Sequence, residues 1–347
     1  MKKCLLLLLV IVSCTSPEKK KPMVLEEVSL GVEEINDYPK YLSEWEIFKE
    51  PLNELQHFQS RIFPYEINAA LFSDYAYKAR FIKLPEGVKI DYHPNEVLDF
   101  PKGTILIKNF YYPEDFSSPD SKKRIIETRF LINEEDGWNA IVYEWNEMQT
   151  DAERVILGKQ VPVEWKDRQG NLQRINYSIP SQPQCKSCHD LKGKMIPIGP
   201  SARQLNRDNQ LTTWKENGWL EVSDSVKFNY LTNYENEKAT LDDRARAWLE
   251  VNCAHCHRRE GPAKNSGLYL LASQTDPYRL GVNKPPIAAG KGSGGLRYSI
   301  VPGNPDQSIL VHRIESLEPG EMMPELGRKM THKEGVQLIR DWITQMN

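Results

Sequence analysis

The stretch Ala245-Arg246-Ala247-Trp248-Leu249-Glu250-Val251-Asn252-Cys253-Ala254-His255-Cys256-His257 ends in two cysteines three residues apart, with a histidine directly after the second. Cys253, Cys256 and His257 fit the C-x-x-C-H pattern by which a porphyrin is attached covalently. Two thiols three residues apart on a helical turn lie on one side, within reach of the two haem vinyl groups, and each can form a thioether. The adjoining imidazole is then held against the porphyrin face and gives a nitrogen to iron. Upstream, Thr240-Leu241-Asp242-Asp243 reads as a helix start, with Thr240 as the cap and an acid at the third position. The pattern predicts a helix over residues 241–251 that delivers the motif at its end. His255, inside the motif, reads as a spacer.

A haem that cycles electrons needs a second axial ligand, and Met322-Met323-Pro324 lies well downstream. A neutral thioether favours ferrous iron and raises the potential. Met323 is preferred, because Pro324 stiffens the loop that presents its sulfur. Met322 is the reserve and Met330 a more distant choice, and simple core filling is the plainer role for all three.

Cys185-Lys186-Ser187-Cys188-His189 is a second complete motif. Its second axial ligand is open: Met195, Met148, His57, His93, His312 and His332 are all candidates, and a five-coordinate iron is an alternative. The chain has six cysteines, and the remaining two, Cys4 and Cys14, belong to its leader. Rival readings are one four-thiolate zinc site or two disulfides. The separation of the pairs far exceeds the gap of about 15–20 residues usual for a zinc ribbon, and both rivals leave His189 and His257 unexplained.

Outward from the motifs, the texture is uneven. Residues 63–180 read as β: Arg80 to Leu84, Gly103 to Phe110, Glu127 to Ile132, Asn139 to Trp145 and Val161 to Trp165 are strand-like, separated by turns such as Pro85-Glu86-Gly87 and Asp136-Gly137. Short strands at this spacing suggest a sandwich or barrel. Residues 41–56 suggest a short amphipathic helix. Ser73-Asp74-Tyr75 and Trp145-Asn146-Glu147 read as surface turns. Past residue 180 the chain turns to short helices and long loops, ending in a clear helix with Thr331 as cap, Glu334 completing a capping box, and Val336, Ile339, Trp342, Ile343 and Met346 on its apolar side. Arg203, Lys291 and Arg297 are candidates for pairing with haem propionates. The fold class expected is α+β and multidomain: a β-rich domain over residues 41–180, a first haem-attachment segment and connector over 181–235, and a mainly helical domain with long loops over 236–347.

The chain opens with Lys2 and Lys3 before an apolar run, Leu5 to Val12, too short to span a bilayer. Ile11-Val12-Ser13-Cys14 looks like a bacterial lipobox, so residues 1–13 read as a lipoprotein signal peptide. Cys14 is then the lipidated N-terminus and residues 14–40 a Lys/Glu/Pro-rich tether. That makes the mature chain an anchored protein of the cell envelope, facing the periplasm or in the outer membrane. Across 347 residues, 39% hydrophobic and 10% aromatic content excludes a disordered chain. A net charge of −3, without a basic block interleaved with aromatics, excludes nucleic acid as the expected partner.

Taken together, the blocks ALFSDYAYKARFIKLPEG (70–87), ETRFLI (127–132), YEWNEMQTDA (143–152), QCKSCH (184–189), PIGPSARQLNR (197–207), ARAWLEVNCAHCH (245–257), PPIAAGKGSGG (285–295), IVPGNPDQSIL (300–310) and MMPELGR (322–328) resemble, in order and spacing, a family of bacterial two-haem c-type cytochromes. In that family a β-rich N-terminal region precedes a cytochrome c domain, and the resemblance runs from about residue 41 to the C-terminus. It implies covalent haem c at both cysteine motifs and a methionine ligand within MMPELGR. It implies no substrate. The function expected is electron transfer with a redox partner protein. The alternatives are a haem peroxidase or oxidase with one open haem, and a partner-binding β-domain with redox-sensing haems.

Overall fold

The structure is a computed structural model that describes residues 38–57, 61–118 and 120–347. The signal peptide, Cys14 and most of the tether lie outside the described residues. Pro39–Asn347 forms one compact unit. Strands β1 (Ile62–Pro64), β2 (Tyr77–Lys83), β3 (Ile90–Asp91), β4 (Ile105–Pro113), β5 (Lys123–Glu134), β6 (Gly137–Trp145), β7 (Ala152–Arg154), β8 (Lys159–Lys166) and β9 (Leu172–Ile179) precede the first cysteine motif. Six of them make one antiparallel sheet in the order β1-β2-β4-β5-β6-β7, and β8 and β9 form a hairpin. The five expected strands all form. Their order is linear rather than closed, and the hairpin packs on the sheet through Val163, Trp165 and Tyr177 against Phe110 and Val142.

The sheet is covered on both faces, which is why β4 reads as a nearly continuous apolar run rather than an alternating one. On one face Phe81, Ile107, Phe130 and Ile141 stand directly opposite one another across β2, β4, β5 and β6. Trp45 meets Phe130 edge-on at 5.3 Å, and Phe48 meets Phe81 at the same distance. The covering segment is not the helix expected over residues 41–56. It is two short 3₁₀ turns, Leu42–Trp45 and Leu52–Glu54, each ended by a residue in the left-handed region, Glu46 and Leu55. The other face carries Arg80, Lys108 and Arg129 in one row.

Helices α1 (Gln182–His189), α2 (Ala202–Leu205), α3 (Gln210–Glu216), α4 (Leu241–Leu249), α5 (Pro277–Leu280), α6 (Ile309–Glu315) and α7 (Lys333–Thr344) follow. Trp248, Leu249, Val311, Ile314, Ile339 and Ile343 form the heart of the helical core. Thr240 caps α4 as expected, its Oγ1 accepting from the Asp243 amide at 3.1 Å. The α-helix stops at Leu249, and residues Glu250–Ala254 continue as a π turn, a widening common at functional sites. At the last helix the cap is His332, not Thr331. Thr331 Oγ1 donates instead to the Glu315 carbonyl, and Glu334 accepts from the Tyr75 hydroxyl, so tertiary partners displace the local capping box.

Ile339 is fully buried among these helices. Ile339→Ala is expected to lower unfolding free energy by about 3 kcal/mol through lost burial and the cavity left behind. Leu157→Ala, at a side chain 90% exposed, is expected to leave the urea midpoint within error.

Candidate functional site

At the second motif the backbone folds on itself. The amides of Cys256 and His257 both donate to the Cys253 carbonyl, at 3.1 and 2.9 Å, which brings both thiols and the imidazole to one turn. The loop that follows returns to hold it: the Ala263 amide bonds the Cys256 carbonyl at 3.1 Å, and the Leu270 amide the His257 carbonyl at 2.9 Å. Gly261 permits this approach, because a Cβ there falls 2.3 Å from the Cys256 carbonyl oxygen. His257 Nδ1 lies 3.1 Å from Ser266 Oγ. That hydroxyl gives its one proton to the Ala263 carbonyl (2.7 Å) and accepts from the Leu268 amide. It therefore accepts from His257 as well, which puts the proton on Nδ1 and leaves the Nε2 lone pair free.

At the first motif α1 carries Cys185, Cys188 and His189. Ser181 precedes it at the cap, where its amide donates to Gln184 Oε1 at 2.9 Å. His189 Nδ1 sits 2.7 Å from the Ile196 carbonyl. A carbonyl can only accept, so His189 too is fixed with the proton on Nδ1 and Nε2 available. Burial holds both imidazoles neutral, pushing His189 down to about 3 and His257 to about 4. Burial also raises the thiols, to about 12 at Cys253 and about 11 at Cys256, so they remain thiols at neutral pH. The loops after the two motifs meet, the Lys192 amide donating to the Glu260 carbonyl at 3.3 Å. All four cysteines are free. Among the described residues no three His, Cys, Asp or Glu side chains converge as a metal cluster, so the four thiols do not assemble a zinc site.

One interior cavity between the sheet and the helices is lined by Cys185, Cys188, His189, His255 and Met323. Met323 faces it, whereas Met322 is buried in packing, 8% exposed, and Met330 packs on the sheet core. The methionine loop is fastened by its backbone. The Met323 amide donates to the Arg313 carbonyl at 2.9 Å, and Arg328 Nη2 reaches the carbonyls of Met323 (3.0 Å) and Ser316 (2.7 Å). The charges of Arg328 and Arg313 act on Cys253 and His257, whereas Cys253, Cys256 and His257 are not among the residues that line the cavity Met323 faces.

Asp74 is not the surface turn expected from its sequence. It is 2% exposed, and its carboxylate accepts from the Lys329 amide (2.7 and 2.9 Å) and the Met330 amide (2.8 Å), at the end of the methionine loop. Ser266 and Gly261 are likewise silent in the sequence, since the contacts they make with the second motif belong to no local pattern. The candidates for a second ligand at the first motif divide clearly. Met148 is 80% exposed, and Met195 packs against the sheet core. His332 Nδ1 accepts from Trp248 Nε1 at 2.9 Å, and His93 Nδ1 accepts from the Asn95 and Glu96 amides. His57 sits beside Phe81, on the sheet face turned away from the cationic row, and His312 lies 3.9 Å from Glu321; each also has a buried ring nitrogen without a hydrogen-bond partner, but neither lines the cavity. His255, read as a spacer, lines the cavity with His189, and its buried Nδ1 has no partner. Arg203 and Lys291 are paired with Glu250 and Glu321, and Arg297 is exposed.

These features fit covalently held haem: paired thiols on one turn, imidazoles with Nε2 free, a methionine facing the cavity, and an unpartnered buried nitrogen. Asp74→Ala strips the acceptor from two amides and is expected to cost about 3 kcal/mol, read by urea unfolding. Limited proteolysis is then expected to begin between residues 322 and 332. No protein-family model, curated protein or solved structure matches the chain.

Proposed function

We propose that the chain is a two-haem c-type cytochrome of the bacterial cell envelope, anchored by lipid at Cys14, that passes electrons to and from a redox partner protein. In this reading the β-rich half precedes a cytochrome c domain, with thioethers at Cys185, Cys188, Cys253 and Cys256. His189 and His257 are one axial ligand each, and Met323 is the second ligand of the haem at Cys253 and Cys256. Haem c supplies a one-electron iron centre whose potential is set by axial ligands and surroundings.

The observation that carries the reading is the fixed tautomer of both histidines. A histidine that only fills space has no need of a committed Nδ1–H and an idle Nε2. Here Ile196 O and Ser266 Oγ impose that state on both motif histidines, the second-shell arrangement that orients imidazole toward iron. The contact between the loops after the two motifs supports electron passage within the chain. The Arg313 and Arg328 contacts support Met323 as a held ligand rather than a wandering side chain.

Protein produced with a cytochrome c maturation system is expected to stain for haem and to carry two haems by pyridine haemochrome and intact mass. Cys253→Ala/Cys256→Ala and Cys185→Ala/Cys188→Ala are each expected to remove one. Met323→Ala is expected to turn one haem high-spin at neutral pH and abolish the sulfur–iron charge-transfer band. Survival of that band moves the ligand to Met322, and colourless wild-type protein ends the reading. A wild-type spectrum with one high-spin haem points instead to a peroxidase-like open site.

A further inference from the structure

The sheet face turned to the cavity carries an arrangement that strand pairing disfavours. Arg80, Lys108 and Arg129 stand directly opposite one another on β2, β4 and β5, and Lys78 lies two residues before Arg80 on the same face. Directly opposed side chains have Cβ atoms about 4.5–5.5 Å apart, and like charges so placed repel. The cations also converge. Lys78 Nζ and Lys108 Nζ each lie 5.8 Å from the centre of the Phe110 ring, and the Arg129 guanidinium lies 4.3 Å from it. All four line the cavity that holds Cys185 and His189.

Counter-charge is short. Glu127 is fully buried, but it is taken by Arg129 and by the Tyr177 hydroxyl at 2.6 Å. Asp74 gives both oxygens to backbone amides. Glu66 is 4.0 Å from Arg80 and mostly in solvent. Lys78 donates only to the Leu71 carbonyl, and Lys108 has no hydrogen-bond acceptor or ion-pair partner among the described residues. Burial, reinforced by Arg80 and Arg129, pushes the Lys108 ammonium down to about 7. Buried charge of one sign is costly unless an opposite charge joins it.

We propose that Lys78, Arg80, Lys108 and Arg129 form the seat for a pair of carboxylates, the propionates of the haem carried at Cys185 and Cys188. The inference rests on the haem reading above and adds which wall receives the charged edge. The thiols are within range of it: Cys185 packs in the same cluster as Phe110 and Val142, and both Cys185 and His189 count Arg129 among their charged neighbours. After Glu127 is set against Arg129, Arg80 and the amines of Lys78 and Lys108 remain for two carboxylates. Burial lowers both amines, and carboxylates set beside them restore their charge. Positive charge there favours ferrous over ferric iron and keeps the propionates ionised.

The test uses full-length, haem-loaded Lys108→Gln and Arg80→Gln proteins, with Lys108→Arg as the charge-keeping control. Haem per chain is counted, and the midpoint potential of the first haem is followed against pH. The Cys253→Ala/Cys256→Ala chain, which keeps only that haem, identifies its wave. Both Gln variants are expected to retain two haems, to show a lower potential, and to move the bend that marks propionate protonation to higher pH. Lys108→Arg is expected to keep the wild-type curve. Unchanged potential and pH profile in both Gln variants overturn the proposal and leave the haem reading standing. Wild-type protein that takes no haem at Cys185 overturns the haem reading and this proposal together. Inorganic phosphate titrated into loaded wild-type protein tests the other source of anion. A saturable spectral change that Lys108→Gln abolishes shows a row open to free anions and overturns the propionate assignment.

Discussion

The carboxylate of Asp74 joins parts of the chain some 255 residues apart in sequence, at the wall of the cavity. Its oxygens accept from the Lys329 and Met330 amides, while its own carbonyl accepts from the Tyr112 hydroxyl at 2.7 Å. One residue thus ties the centre of the sheet to the loop that carries Met323. Burial raises its pKa even against those amides and the nearby Arg328 and Lys329 charges, so desolvation is the larger effect. Such a carboxylate is costly to bury and persists only where its acceptor sites are filled. The segment around it repeats the logic: the Phe72 amide donates to Asn252 Oδ1 at 2.9 Å, and the Tyr234 hydroxyl to the Ala70 carbonyl at 2.8 Å. Residues 69–75 are the seam between sheet and helices, and Asn252 brings the π turn of the second motif into it.

That seam explains why His255 of the second motif, 68 residues on, reaches the cavity that Cys185, Cys188 and His189 line. α1 is laid on the sheet by Cys185, and the π turn is pulled toward the sheet by Asn252 and Phe72. Each motif then borrows an acceptor from the loop downstream of it, Ile196 or Ser266, to set its histidine.

What the sequence disclosed, and what it hid, follows from the range of the interactions. The strands from Arg80, Ile105, Glu127, Asn139 and Val161 were legible because burial on one or both faces leaves a local apolar pattern. The Thr240 cap was legible for the same reason, its acceptor being three residues away. Thr331 and Glu334 offered an equally good local signature and were diverted to Glu315 and Tyr75, partners no window contains. The helix expected over residues 41–56 failed because covering a flat sheet with Trp45 and Phe48 needs the chain to turn twice within a dozen residues. The cysteine motifs were plain, but Ser266 and Gly261, which hold the second of them, and Asp74, which holds the methionine loop, have no sequence mark at all.

The cationic row shows why charge is hard to read along a strand. Lys78, Arg80, Lys108 and Arg129 each sit singly among apolar residues, and singly each looks like an edge lysine or a solvated arginine, the common fate of such residues. Only the register sets them side by side, and only the covering helix shows that they face inward. A central strand such as β4, which sets Lys108 between Leu106 and Phe110 and opposite Arg80 and Arg129, is a poor design for a sheet that meets only an apolar core. It is a sound design for a sheet that meets an anion. The strain is local, and it falls on the wall of the cavity that Cys185 and His189 line.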